Sequence, residues 1–169
     1  MLNFWILGIQ KTMMVTSVWV LAIMNALAPA TPWAFQYGEI AEAIADASNQ
    51  DPLFPGEDGA RKTAAVLLAL AYHESRFQPN VVGDNGASFG LFQIQPPTAK
   101  VEAHLLTLPR NAAFIAIGLI RTSFRVCAQD EMKNRLAWYA AGGLGCREQG
   151  KRKSAIRMGL AMKLLEEHK

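Results

Sequence analysis

The chain has few of the residues that build metal or disulfide scaffolds. Two cysteines in 169 residues are too few for a disulfide-rich scaffold, and three histidines are too few for a histidine-built metal cluster. Charge is also sparse. Charged residues make up 18% of the chain against 51% hydrophobic, which excludes intrinsic disorder as its main description. No repeat, low-complexity tract or alternating strand pattern of useful length is present, so solenoids and β-sandwiches are excluded. The first 34 residues lack acids altogether and carry one charge, Lys11.

What remains is a chain of single-domain size with an uneven apolar load. A lone positive charge, the apolar run from Thr12 to Ala30, and the small-x-small ending Ala28-Pro29-Ala30 follow the order of a secretory signal peptide. The competing reading is a retained anchor, because 19 residues almost span a bilayer. Residues 1–30 are therefore expected to be a signal peptide or N-terminal membrane anchor, and residues 31–169 the functional domain. Either way the protein is expected to be exported, periplasmic or secreted. In such a compartment Cys127 and Cys146 are expected to form a disulfide. The formal net charge of +3 is mildly basic and names no partner.

Helical periodicity dominates after residue 36. Helices are expected over Gln36–Ser48, Arg61–Arg76, Pro97–Leu106, Asn111–Val126, Glu131–Ala141 and Ser154–Glu167. Ile156, Leu160 and Leu164 are assigned to the inward face of the last one. Asn49–Gly59 is a proline- and glycine-containing loop, Gln78–Gly90 a polar glycine-rich one, and Leu91–Ile94 a short apolar piece that can be a strand fragment. The expected fold is all-α, a compact domain of six or seven helices, with at most a vestigial β element.

One acid stands out. Glu74 closes an otherwise acid-free helix, and Leu67, Leu70 and Ala71 share its face. Burial against apolar surface disfavours the charged form of a carboxyl, and a protonated carboxyl can donate to a leaving group. Just beyond lies a turn-rich loop, Gly83-Asp84-Asn85-Gly86. Ser88, Phe89, Gln93 and Gln95 follow it, the amides, hydroxyls and flat aromatic faces that a sugar site needs.

AYHESRF, GDNGASFGLFQI and LAWYAAGGLGC, in that order, resemble the soluble lytic transglycosylase-like domain of the lysozyme superfamily, close to the goose-type lysozymes. Glu74-Ser75, Gly90-Leu91-Phe92-Gln93-Ile94 and Tyr139-Ala140-Ala141-Gly142 match its three motifs, over roughly Tyr37 to Leu165. The resemblance implies a lysozyme-like fold and cleavage of the MurNAc-β-1,4-GlcNAc bond of peptidoglycan, with Glu74 as catalytic acid and then base, closing a 1,6-anhydro ring without water. It places Ser88, Phe89, Gln93 and Tyr139 at the substrate and implies no metal or organic cofactor. Ala140 stands where the family usually has Asn.

Two readings stay open beside it. Asp84 either supports its loop through an Asx turn or acts as a second acid that positions water, which would make the protein a hydrolysing muramidase. A non-catalytic peptidoglycan-binding module is the third class. Trp138 is expected to be core packing, Tyr139 can equally be core packing or part of the site, and Ser75 is expected to support the helix end. Lys151, Arg152, Lys153 and Arg157 are expected to be a solvated basic face. The expected partners are peptidoglycan glycan strands, not nucleic acid, with membrane association through the N-terminal segment as one option and a monomer as the default.

Overall fold

The computed structural model describes residues 14–168. Among them are seven α-helices and one two-stranded antiparallel ribbon. The helices are α1 (Ser17–Leu27), α2 (Tyr37–Gln50), α3 (Gly59–Ser75), α4 (Pro96–Ala99), α5 (Pro109–Val126), α6 (Ala137–Ala140) and α7 (Glu148–Glu167). The ribbon pairs β1 (Val82–Gly83) with β2 (Ser88–Phe89). The fold is all-α and lysozyme-like, as its sequence periodicity and motifs imply.

Helix α3 is the centre. Every residue from Ala64 to Ala71 is buried, so this helix is apolar on all sides and must be surrounded. Helices α1, α2, α5 and α7 pack around it. Thr63 fixes its entry: its hydroxyl lies 2.8 Å from Gly59 O and accepts from Leu53 N at 2.8 Å, which ties down the preceding loop. Its exit is set by Arg76 at φ 53° and Phe77 at φ 63°, which turn the chain back so that Phe77 N bonds Ala71 O.

Lys11 and the start of the apolar run lie outside the described residues. The described part of that segment is packed into the domain. Val20, Ile23 and Met24 on α1 are fully buried. Asn49 donates to Val15 O and accepts from Val15 N, while Tyr37 Oη donates to Ala28 O at 2.9 Å. Trp19 Nε1 donates to His168 O at 3.0 Å, so both ends of the described chain meet. No helix among the described residues is long and apolar enough to cross a membrane.

Four helix expectations need correction. Pro97–Leu106 is not one helix. α4 stops at Ala99, Lys100 turns left-handed at φ 56°, and a 3₁₀ turn covers Ala103–Leu106. That break brings Leu106 O against Gly90, where a Cβ would lie 1.8 Å away. Glu131–Ala141 is likewise a 3₁₀ turn at Met132–Asn134 and then the four-residue α6. Here side chains take the backbone groups that a continuous helix would use. Ser123 Oγ donates to Arg135 O and accepts from Tyr139 N, and Ser154 Oγ donates to Lys133 O and accepts from Leu136 N. Ser154 is therefore not the cap of α7, which begins six residues earlier with Glu148 in its first turn. Helix α5 starts at Pro109 rather than after Asn111, with proline in the position where its missing N–H costs nothing.

Candidate active site

A cleft of about 150 Å³ opens where the end of α3, the ribbon, α6 and α7 meet. Glu74, Asp84, Ser88, Gln93 and Tyr139, five residues singled out from the sequence, all line it. They come from sequence positions up to 65 residues apart and are brought together by a few specific bonds.

Ser75 ties the acid's helix to the glycine-rich segment. Its hydroxyl lies 2.8 Å from Leu91 O and 3.0 Å from Ala71 O, so the Glu-Ser pair joins the end of α3 to Leu91. The ribbon is closed by Gly90 N donating to Val81 O at 2.8 Å and by a bridge between Phe89 and Ile94. Gln93 stands at φ 47° and donates its amide to Gly90 O at 3.0 Å and Val81 O at 3.2 Å. Its Oε1 occupies the space that a Cβ on Gly83 would need, which explains the glycine there. Of the six non-glycine residues at positive φ among the described residues, five are Arg76, Phe77, Asp84, Asn85 and Gln93, all within this end of the molecule. Such conformations concentrate where a site over-determines its backbone.

Asp84 is exposed, and its Oδ2 accepts from the buried Ser88 hydroxyl at 2.5 Å. The acid and the serine thus hold each other across the ribbon turn. Tyr139 is half-buried and donates its phenol proton to Phe92 O at 2.8 Å. Burial first, and then the charge of Glu74, push that phenol well above its usual range, with Arg157 acting in the opposite sense. Trp138 also lines the cleft and stands beside Gly143. Phe89 is not brought into the cleft. It leans on the core instead, because the strand alternation that points Ser88 inward turns Phe89 away.

The surroundings of Glu74 differ from those its helix suggests. Its carboxyl is not held against apolar surface alone. Arg157 of α7 donates to Glu74 Oε1 from Nε at 2.9 Å and from a terminal nitrogen at 2.6 Å. The side chains are 18% and 10% exposed. A further terminal nitrogen of Arg157 donates to Lys153 O at 3.1 Å. Among the described residues no side chain donates to Glu74 Oε2, the oxygen left for a ligand.

Arg157 is therefore the residue that sequence reasoning missed, and the expected basic face is divided. Lys151 pairs with Asp130 at 2.7 Å, Lys153 lines the cleft, and Arg157 is buried against the acid. A signal for Arg157 was present. Leu160 and Leu164 lie three and seven residues beyond it, which places it on the inward stripe of α7. Ile156, assigned to that stripe, is 60% exposed. An arginine on an inward face requires an anion opposite.

Cys127 and Cys146 are joined in a disulfide. The bridge holds the loop between α5 and α7 that carries α6, and so Trp138 and Tyr139. Asp130 lies close to both sulfurs, but thiols bonded to each other do not serve as thiolate ligands for a metal.

The family description Transglycosylase SLT domain matches residues 56–157, more than half of the chain. The chain belongs to the SLT transglycosylase family. The matched region runs from just before α3 to Arg157, and so contains Glu74, the ribbon, Tyr139 and the arginine that pairs with the acid. No curated protein and no solved structure matches the chain significantly. SLT membership carries a general activity, cleavage of peptidoglycan glycan strands of the transglycosylase type, and a substrate that lies outside the cytoplasm.

Proposed function

We propose that this SLT domain cleaves the MurNAc-β-1,4-GlcNAc bond with Glu74 alone as acid and base, leaving a 1,6-anhydro-MurNAc end. The observation that carries the reading is the placement of Glu74. It stands at the end of α3 in a polar cleft, with Oε1 held by Arg157 and Oε2 left for the glycan.

In the first step the proton on Glu74 Oε2 passes to the glycosidic oxygen. The bond from that oxygen to the muramic anomeric carbon breaks, and GlcNAc leaves with a free 4-hydroxyl while oxocarbenium character develops on the ring. In the second step the C6 hydroxyl of the same muramic ring bonds to the anomeric carbon, and its proton returns to Glu74. No water enters, and the acid is regenerated. Arg157 neutralises the charge that Glu74 carries between the steps and fixes which oxygen faces the sugar. Gln93 and Tyr139 give their protons to backbone carbonyls of the ribbon segment, so they shape the cleft, and Tyr139 also closes the side facing Phe92.

The single-acid reading is favoured over hydrolysis by the bond between Asp84 and Ser88. It employs Asp84 in holding its own loop, through the Ser88 hydroxyl rather than an Asx turn, instead of leaving both oxygens to position a water. Export is part of the proposal, since the polymer lies outside the cytoplasm and a disulfide persists best there. The burial of Val20, Ile23 and Met24 supports a mature chain that keeps α1.

The test is the mass of fragments released from purified peptidoglycan, with Glu74→Gln beside wild type. Fragments one water lighter than hydrolysis products, absent with the variant, are the expected result. Full-weight reducing sugars would replace this mechanism with hydrolysis. No release from either protein would leave a binding module.

A further inference from the structure

The cleft does not end at the acid. It continues along α7 into a second depression of about 380 Å³, which shares Asp84, Gln95, Ala140, Gly142 and Lys153 with the first and reaches Arg147. Two cations line this stretch beyond the Glu74–Arg157 pair. Lys153 and Arg147 are both exposed, and neither forms an ion pair among the described residues. On the same helix Lys151 is matched to Asp130 and Glu148, Arg157 to Glu74, and Lys163 to Glu167, while Arg152 is exposed and unpaired among the described residues but lines neither depression. Among the described residues Asp84 is the one acid lining the second depression, and its Oδ2 is already engaged by Ser88. The outer groove wall therefore has an excess of positive charge on a concave surface, where the field of such groups is concentrated.

We propose that this groove is a subsite for a carboxylate carried on the 3-O-lactyl arm of the muramic acid, held by Lys153 and Arg147. The inference rests on the proposed function for the identity of the ligand. The acetamido-sugar backbone of the glycan is neutral and gives these two cations nothing to bind. Its acids branch from the muramic ring, the sugar whose anomeric carbon must lie at Glu74. That ring's arm carries either its own lactyl carboxylate or the carboxylates of an attached peptide. Arg147 offers a planar fork suited to a carboxylate, and Lys153 a mobile point charge closer to the reacting sugar.

The experiment measures binding of three soluble glycan strands to the full chain in a Glu74→Gln background. One strand is peptide-bearing, one is stripped by an amidase to the free lactyl carboxylate, and one has every carboxyl capped as a neutral amide. Each is titrated at low and at raised salt, against the parent and against R147Q/K153Q. Both substituted side chains are exposed, and a thermal melt checks that the variant folds. The parent is expected to bind peptide-bearing strands about three- to tenfold more tightly than capped ones, the size that two exposed charge pairs supply. The double variant is expected to lose that preference, and raised salt to erase it. Stripped strands that keep the preference identify the lactyl carboxylate as the ligand, and stripped strands that lose it identify the peptide. Equal binding of native and capped strands by the parent, or an unchanged preference in R147Q/K153Q, overturns the subsite. Turnover of the same strands by wild type separates the two claims: a charge-dependent preference without any cut product refutes the cleavage and leaves the subsite standing.

Discussion

Replacing Glu74 by alanine should unfold the protein more easily as well as stop the reaction. Among the described residues the carboxylate is the only acid paired with Arg157, and with side-chain exposures of 18% and 10% both partners are largely out of water. Without Glu74 the guanidinium keeps Lys153 O at 3.1 Å as its one remaining acceptor. Removing one partner of a buried pair costs about 3–5 kcal/mol, and a pair at the edge of a cleft falls at the lower end, about 3 kcal/mol. With a urea m-value of about 2 kcal/mol/M, the unfolding midpoint of Glu74→Ala should drop by about 1.5 M. Glu74→Gln keeps a neutral acceptor for Arg157, so it should lose only about 1 kcal/mol and about 0.5 M. The double variant E74A/R157M removes both charges and fills the space with an apolar chain, and should return to within about 1 kcal/mol of wild type. Equilibrium urea unfolding followed by far-UV circular dichroism measures all three. Glu74→Ala at or above the wild-type midpoint would refute the reasoning, because the pair would then not couple α3 to α7.

Met24→Ala should cost about 2–5 kcal/mol, because Met24 is fully buried, while Val18→Ala on the same helix should change little, since Val18 is 74% exposed. Thermal melts of the two variants test whether α1 belongs to the core. Reducing the Cys127–Cys146 bridge, which closes a loop of 19 residue steps, should cost about 3 kcal/mol and shows as a lower urea midpoint in reductant. His73 is held below its usual value of 6.5, first by desolvation and then by the charges of Arg157 and Arg76. Between the folded and the unfolded value the unfolded chain binds more protons, so this contribution is complete above about pH 6.5 and is lost as pH falls through the folded value. The ring is largely exposed, so the fall in urea midpoint from pH 7.5 to pH 5 should be small, and His73→Gln should remove its share.

Much of the site was readable before any tertiary structure. Glu74-Ser75, the Gly90–Ile94 segment and Tyr139 are local motifs, and their chemistry follows from residue type and order. Other features were less legible because local pattern does not decide them. Phe89 has the right chemistry for a sugar platform, yet its strand register turns it to the core. Whether Lys151, Lys153 and Arg157 are solvated, lining or buried depends on how α7 is rotated, and one residue of phase separates Ile156 from Arg157. The helix ends that were misplaced, at Ala99, Met132 and Glu148, are those where hydroxyls of Ser123 and Ser154, or the close approach of Leu106 to Gly90, replace the helical hydrogen-bond ladder.

The sequence by itself determined an all-α domain around an apolar central helix, because 3.6-residue periodicity and the absence of strand alternation admit little else. It also marked Glu74 as the candidate acid, since that is the one carboxyl on the helix. Only the tertiary structure decided what surrounds the acid. Arg157 lies 83 residues further on, and no local interaction can announce a contact made by packing α7 against α3. The same packing sets Lys153 and Arg147 along the groove and buries Val20, Ile23 and Met24 of α1. An apolar run states that it must leave water, and only the assembled core decides what it is buried against.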